Sequence, residues 1–277
     1  HRDLRSFKYI HGGYRAFKIN DPKPRNIHKA SVRDRLLHHA IYRILYPFFN
    51  RIFISDSFSC RNDKGTHKAL NRFRNFSYRV SKNNTKTCWI LKCDIKKFFE
   101  NINRDILLDI LRRYIYDKNT IWLLEKVIKS FSPGLPLGNL TSQLLVNIYM
   151  NKFDQFAKHK LKTKYYIRYA DDFIVLSDNK IYLDNLVSPI KDFLHIKLKL
   201  ELHPDKIFIK TLASGVDFLG WIHFPDHRVL RTMTKRRMFR RLKESSTLEI
   251  RSSYFGLLKW GNTEKLKDRI IASDASD

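Results

Sequence analysis

Apolar and polar positions alternate from Tyr14 to Ile19, turn residues follow at Asn20-Asp21-Pro22, and the extension resumes at Arg25-Asn26-Ile27-His28. Residues 14–28 therefore predict a β-hairpin. Ser31, three residues before Asp34, is a capping-box-like start. It opens a helix expected to carry Leu37, Ile41, Ile44 and Phe48 on one stripe. Residues 51–68 show no period. A helix follows to about Arg74, then a polar loop from Ser81 to Lys86. Thr87 to Asp94 reads as a strand that ends in an acid. Leu107, Leu111 and Tyr114 share a helical face, and residues 119–130 form a second helix, stopped by Ser132-Pro133-Gly134-Leu135-Pro136. From Thr141 to Lys160 a long helix places Leu145, Ile148, Tyr149, Phe153 and Phe156 at core spacing. Two β-rich runs, Lys164 to Arg168 and Phe173 to Leu176, flank Tyr169-Ala170-Asp171-Asp172 as a hairpin. A helix over 181–194, a strand over 206–210 and an apolar segment from Val216 to Trp221 come next. The stretch from about Arg231 is helical and basic. The middle order of strand, helix, helix, hairpin, helix, strand fits a split βαβ sheet, and the fold class is α+β.

Charge narrows the partners. The formal net charge is +27, from 54 Lys plus Arg against 27 Asp plus Glu. An excess of that size, spread along the chain rather than held in a tail, points to a polyanion, most simply nucleic acid. Aromatic residues make up 13%, which supports a folded core. No apolar run approaches the ~18 residues that a membrane helix needs, and no secretory leader is visible. Cys60, Cys88 and Cys93 show no paired metal spacing and read as reduced thiols. The expectation is a cytoplasmic protein with no membrane partner. The chain begins with His1, so a preceding segment is allowed.

The candidate chemistry sits at the strand ends. Asp171 and Asp172 share a hairpin tip, and Asp94 closes a buried strand. Carboxylates crowded at one place repel unless a divalent cation cancels them, and hard oxygen ligands suit magnesium. Three carboxylates from two strand ends can clamp two ions roughly 3.5–4 Å apart, the arrangement used for in-line nucleotidyl transfer. The structural alternative is a strand-capping Asp and an unrelated acidic turn.

Taken in order, these motifs resemble reverse transcriptases over nearly the whole chain. Cys93-Asp94-Ile95-Lys96-Lys97-Phe98-Phe99 is similar to their first acidic motif, and Tyr169-Ala170-Asp171-Asp172 to their Tyr-x-Asp-Asp box. Leu200-Glu201-Leu202-His203-Pro204-Asp205-Lys206 resembles the segment after it, and Phe218-Leu219-Gly220 the primer grip. The resemblance implies a right-hand polymerase: fingers over 1–86 with part of 101–135, a split-βαβ palm over 87–222 and a helical thumb over 223–277. It implies RNA-directed DNA synthesis with two Mg2+ ions on Asp94, the Ile95 carbonyl, Asp171 and Asp172, and Lys206 as a candidate acid for pyrophosphate departure. Phe99 would crowd a ribose 2′-hydroxyl, while Lys18 and Arg25 would neutralise the triphosphate. Lys235, Arg236, Arg240 and Arg241 are candidate contacts to the nucleic-acid backbone.

The segment Pro136-Leu137-Gly138-Asn139-Leu140-Thr141-Ser142-Gln143 marks a subtype. Most reverse transcriptases have Gln-Gly, three variable residues and Ser-Pro here. Leu137 replaces the Gln and Gln143 the Pro, which resembles the enzymes of diversity-generating retroelements. Pro24 to Ala30, Arg33 to Ala40 and Tyr254 to Trp260 are similar to that group as well. The resemblance then implies an error-prone bacterial or phage enzyme that takes an RNA template, a DNA or RNA primer and dNTPs, and works with a small accessory protein. Leu137 and Gly138 would face the nascent pair. Two other readings stay open on residues alone: an RNA-dependent RNA polymerase, which would normally carry a polar residue in place of Phe99, and a non-catalytic nucleic-acid-binding or antiphage module on the same fold.

Overall fold

The computed structural model describes residues 1–20 and 24–272. The expected turn residues Asp21 and Pro22 lie outside the described residues. In chain order the elements are α1 (Arg2–Arg5), β1 (Tyr14–Ile19), β2 (Arg25–Ala30), α2 (Val32–Ile52), α3 (Thr66–Val80) and β3 (Trp89–Asp94). Then come α4 (Arg104–Arg112), α5 (Lys118–Lys129), α6 (Leu140–Gln155), β4 (Tyr166–Tyr169), β5 (Asp172–Ser177) and α7 (Lys180–Leu198). The chain continues through β6 (Phe208–Thr211), β7 (Val216–Phe218), β8 (Trp221–His223) and β9 (Arg228–Leu230), then α8 (Thr232–Glu244), α9 (Leu248–Leu258) and α10 (Glu264–Ala272). β1 pairs with β2, the central sheet has the order β4-β5-β3-β6, and β7-β8-β9 form an antiparallel meander.

The chain divides into two compact units. The first comprises His1–Gly65, Lys92–Val175 and Asp184–Ile207; the second comprises Thr66–Leu91, Leu176–Leu183 and the stretch from Phe208. At the centre of the first unit is α6, buried nearly all round, with Leu145, Ile148, Tyr149 and Phe153 fully buried and Asn147, Asn151 and Asp154 buried beside them. Phe153 meets Phe173 of β5 with ring centroids 4.9 Å apart. Each such buried ring or branched aliphatic contributes roughly 1.5–3 kcal/mol. In the second unit α3 buries Ala69, Leu70, Phe73 and Phe76, and Phe73 packs on Phe218 of β7 with centroids 5.6 Å apart.

The α2 helix starts where expected: the Ser31 hydroxyl oxygen accepts from Asp34 N at 3.1 Å. Its buried face is different from the predicted stripe. Asp34, His38, Ile41, Leu45 and Phe49 face inward, whereas Ile44 is 75% and Phe48 46% exposed. The reason is Asp34, a carboxylate buried because every side of it is satisfied. It accepts from Tyr9 Oη at 2.8 Å, Gly12 N at 3.0 Å and Ser31 Oγ at 2.6 Å. The N-terminal segment therefore covers that side of the helix and turns the stripe toward it. Two helices also run beyond their expected ends, α3 to Val80 and α7 to Leu198.

Beside Asp34 lies a pair of imidazoles. His11 Nδ1 faces the Gly12 carbonyl at 2.6 Å and so donates to it. His11 Nε2 must then accept from His38 Nε2 at 3.1 Å, which leaves His38 Nδ1 buried without a partner. Burial, then the nearby His11, lowers the His38 pKa to about 4. A histidine held below its ordinary value stabilises the fold fully above that value, and the stabilisation is lost as pH falls toward about 4. Moving from pH 7 to pH 5 should cost about 1–2 kcal/mol at this group. His38→Gln keeps a donor and does not titrate. Urea denaturation at the two pH values should show a smaller pH loss in that variant; an equal loss in both proteins would exclude His38 as the source.

Candidate active site

The acidic tip is a tight two-residue connection. Tyr169 pairs with Asp172, and Ala170 takes φ +57°. A left-handed non-glycine residue is costly unless its surroundings hold it. Here Arg168 Nη1 donates to the Ala170 carbonyl at 3.1 Å from inside the protein. Arg168 and Asp154 of α6 are both fully buried and form a two-pronged ion pair, Nε to Oδ1 at 2.8 Å and Nη2 to Oδ2 at 2.7 Å. Tyr166 Oη also donates to Asp154, and Arg168 reaches Ser57 Oγ at 3.0 Å and Asn147 Oδ1 at 3.2 Å. The irregular segment before α3 is tied to the same strand: Phe58 N donates to the Arg168 carbonyl and Arg168 N to the Asp56 carbonyl.

The end of β3 is fastened to this tip. Ile95 N donates to the Asp171 carbonyl at 3.1 Å, and His203 N donates to the Asp94 carbonyl at 2.8 Å. Lys96 N bonds the Glu201 carbonyl at 2.9 Å. The three motifs expected around the site, at 93–99, 169–172 and 200–206, are thus joined through backbone hydrogen bonds within the first unit. Sequence distance gives no hint of this junction. The β-sheet makes it.

Two lysines stand against the acids. Lys206 Nζ is 2.8 Å from Asp94 Oδ1, and Lys92 Nζ is 3.1 Å from Asp172 Oδ2. Asp172 Oδ1 is buried with no hydrogen-bond partner. Burial is the main reason the Asp172 pKa rises to about 7; Lys92 opposes the rise, and Asp171 and Asp94 add to it. Asp171 is raised too, by burial and by the Asp94 charge, against Lys206 and Arg25. The acids are short of positive charge even with both lysines in place. A hard cation suits that deficit and the unpartnered oxygen. Among the described residues, however, no three His, Cys, Asp or Glu side chains stand ready as a closed ligand group.

The early hairpin lies in the same unit. Its register pairs Lys18 with Asn26 and Ile19 with Arg25, so Lys18 and Arg25 leave opposite faces of the ribbon. Both are exposed, and it is Arg25 whose charge bears on Asp171. The hairpin is stitched to the subtype segment: His28 N donates to the Leu137 carbonyl at 2.9 Å, and Asn139 Nδ2 to the His28 carbonyl at 2.8 Å. Gly138 is required there, with φ +105° and a would-be Cβ 2.5 Å from Ile27 Cγ2. Leu137 is half-buried. Phe99 is also half-buried, edge-on to the buried Phe98 with centroids 5.5 Å apart, and its carbonyl accepts from Leu135 N at 2.9 Å.

In the second unit, Leu219 and Gly220 form the positive-φ turn between β7 and β8. On α8, Arg236, Arg240 and Arg241 are exposed and Lys235 is half-buried. Sequence reasoning missed Lys92, Arg168 and Asp154. The available signal was a charge inside an apolar run: Lys92 between Leu91 and Cys93, Arg168 after Tyr166-Ile167, and Asp154 after Phe153.

The sequence model of the reverse transcriptase (RNA-dependent DNA polymerase) family matches residues 18–223, well over half of the chain. The chain belongs to the reverse transcriptase family. This reverse transcriptase is 25% identical over 261 residues to Protein YkfC of Escherichia coli, a match covering 79% of the chain and 65% of that protein. It is 24% identical over 292 residues to the group II intron-encoded protein LtrA of Lactococcus lactis, covering 79% of the chain and 47% of LtrA. A putative COX1/OXI3 intron 2 protein of Saccharomyces cerevisiae is 21% identical, with 76% and 30% covered. The chain spans less than two thirds of the length of each of these relatives. Among solved structures, telomerase from Candida tropicalis in complex with a fragment of telomeric RNA superposes with a TM-score of 0.62 at 13% identity, covering 97% of this chain and 55% of that one. The apo telomerase of the same organism gives 0.61, covering 78% and 48%. The fold of this reverse transcriptase is the α+β right-hand polymerase fold.

Proposed function

We propose that the chain is an RNA-directed DNA polymerase that makes cDNA from an RNA template by two-metal nucleotidyl transfer. The observation that carries the reading is the hydrogen bond from Ile95 N to the Asp171 carbonyl, which ties the strand end that carries Asp94 to the hairpin tip that carries Asp171 and Asp172. Asp94, the Ile95 carbonyl, Asp171 and Asp172 would hold the two Mg2+ ions. When bound, such ions supply Lewis acidity to the attacking primer hydroxyl and to the leaving pyrophosphate. The chain's own residues do the rest. Arg25 neutralises the triphosphate, and Lys18, on the other face of the hairpin, contacts the nucleic-acid backbone; Phe99 excludes the ribose 2′-hydroxyl; Lys206 would hand a proton to the departing pyrophosphate. Fingers over 1–86 with part of 101–135, palm over 87–222 and thumb over 223–277 remain the proposed division. Lys235, Arg236, Arg240 and Arg241 are proposed contacts to the duplex backbone, in keeping with recognition through phosphates and shape.

The direct experiment is primer extension on an RNA template with Mg2+, comparing dNTPs with NTPs. Extension with dNTPs that stops on chelation is expected. Preference for NTPs would favour an RNA polymerase, and no extension with either would favour a non-catalytic module.

The subtype proposal rests on Leu137 and Gln143. An error-prone retroelement enzyme, bacterial or phage and working in the cytoplasm with an accessory protein, follows from that resemblance. Leu137 cannot offer the hydrogen bond that a Gln would bring to the nascent pair. The missing bond narrows discrimination by about 1–3 kcal/mol. Leu137→Gln should therefore lower misincorporation opposite template adenine by roughly fivefold or more, read by sequencing the products. An unchanged error spectrum would sink the idea.

A further inference from the structure

Within the second unit, an open cleft of about 390 Å³ is walled by Phe73, Arg74, Phe224, Arg228, Lys259 and Trp260. None of these residues belongs to the acidic centre. Three of the walls are cations. The Arg228 guanidinium is anchored: its Nε donates to the Trp260 carbonyl, and the group lies 5.6 Å from the Trp221 ring centroid. Its Nη1 is nonetheless buried with no hydrogen-bond partner. A buried donor without an acceptor is costly, more so on a charged group. Burial, then the Arg74 charge, lowers the Arg228 pKa. The acid lining the cleft, Asp226, already accepts from Asn84 Nδ2 at 2.9 Å. An anion entering the cleft would meet three cations against this one acid.

The aromatic walls are fixed in place. Trp260 stacks on His67 with centroids 3.9 Å apart, and Phe224 stacks on His227 at 4.9 Å. The turn that carries Trp260 is clamped onto the meander. Asn262 N donates to the Arg228 carbonyl at 2.8 Å, and a Cβ on Gly261 would come within 2.1 Å of Trp221. Rigid rings beside cations are the parts used to hold single-stranded nucleic acid, where bases stack and phosphates meet positive charge.

We propose that this cleft binds one nucleotide unit of a single-stranded nucleic acid, with its phosphate on Arg74, Arg228 and Lys259 and its base against Trp260 and Phe224. An inorganic anion alone would leave the aromatic walls unused, and the volume suits a single nucleotide. Binding here needs no catalytic step, so it stands or falls apart from the polymerase reading.

The test uses the full chain without magnesium and a labelled single strand of about eight nucleotides, at about 50 and 200 mM salt. Arg74 and Lys259 are exposed, so Arg74→Gln with Lys259→Gln should fold; Lys118→Gln with Lys126→Gln, on the exposed side of α5, is the charge-matched control. The cleft variant should lose about tenfold in affinity and about 1.4 in salt slope, the loss for two phosphate contacts on a single strand. The control should lose far less. Phe224→Ala, which removes no charge, should weaken binding at both salt levels. Photo-crosslinks from a 4-thiouridine strand should map to peptides holding Phe224 or Trp260. Free adenosine monophosphate should compete better than inorganic phosphate. Equal losses in the two double variants, crosslinks absent from both peptides, or equal competition by phosphate would each overturn the proposal.

Discussion

Asp171→Asn is expected to reduce primer extension by at least about a thousandfold while leaving the protein folded. The substitution keeps the shape of the side chain and removes one charge. Metal-assisted transfer draws several kcal/mol from charge stabilisation at the reacting oxygens, and each ~1.4 kcal/mol is a factor of ten in rate. The Asp171 carboxylate is already disfavoured in the fold by burial and by the Asp94 charge. Removing that charge therefore relieves repulsion, and the melting temperature should hold or rise. Binding of a template–primer duplex through the basic surface should persist. A combination of lost activity and retained melting separates a chemical role from a structural one. Extension within tenfold of the unsubstituted protein would show that catalysis does not depend on this acid.

Arg168→Met should destabilise the protein by about 3–5 kcal/mol, the usual result of leaving one member of a buried ion pair alone. Asp154 would keep only the Tyr166 hydroxyl as a donor from this set, at 2.7 Å. The pair lies wholly inside, so solvent cannot take over. Arg168→Met combined with Asp154→Leu should recover much of the loss, because two apolar groups of similar volume replace a pair that was expensive to desolvate. Recovery of stability need not bring recovery of activity. Arg168 also holds the Ala170 carbonyl, and with it the left-handed turn that presents Asp171. Urea denaturation and primer extension on the same variants would distinguish the two effects. A single-variant loss under about 1 kcal/mol would mean that the buried network is not holding this corner of the fold.

Local pattern carried much of the fold. The hairpin of β1 and β2, the Ser31 cap, the core stripe of α6 and the acidic hairpin of β4 and β5 all follow from spacings within one element. Such spacings reflect backbone geometry, which a short window of sequence contains. The inward face of α2 was misjudged for a different reason. Ile44 and Phe48 have the right period, but burial depends on what covers the helix, and the N-terminal segment covers Asp34 and His38 instead. Strand β9 was missed because three residues carry too little periodicity to stand apart from a loop.

At the candidate site, Asp94, Asp171 and Asp172 were legible because acids at the ends of apolar runs have no packing reason to be there. Lys92 and Arg168 were not, since a charge in a strand reads as an edge or a surface until its partner is known. Their partners lie in other elements: Asp172 for Lys92, Asp154 for Arg168.

By itself the sequence determined the elements, the basic character and the kinds of residue available for chemistry, because all of these depend on neighbours along the chain. Only the tertiary structure decided which acid meets which lysine, which helix face turns inward and which nitrogen of a guanidinium stays without an acceptor. Those outcomes depend on Coulomb and hydrogen-bond contacts between residues brought together by packing, and a contact energy exists only once the distance does.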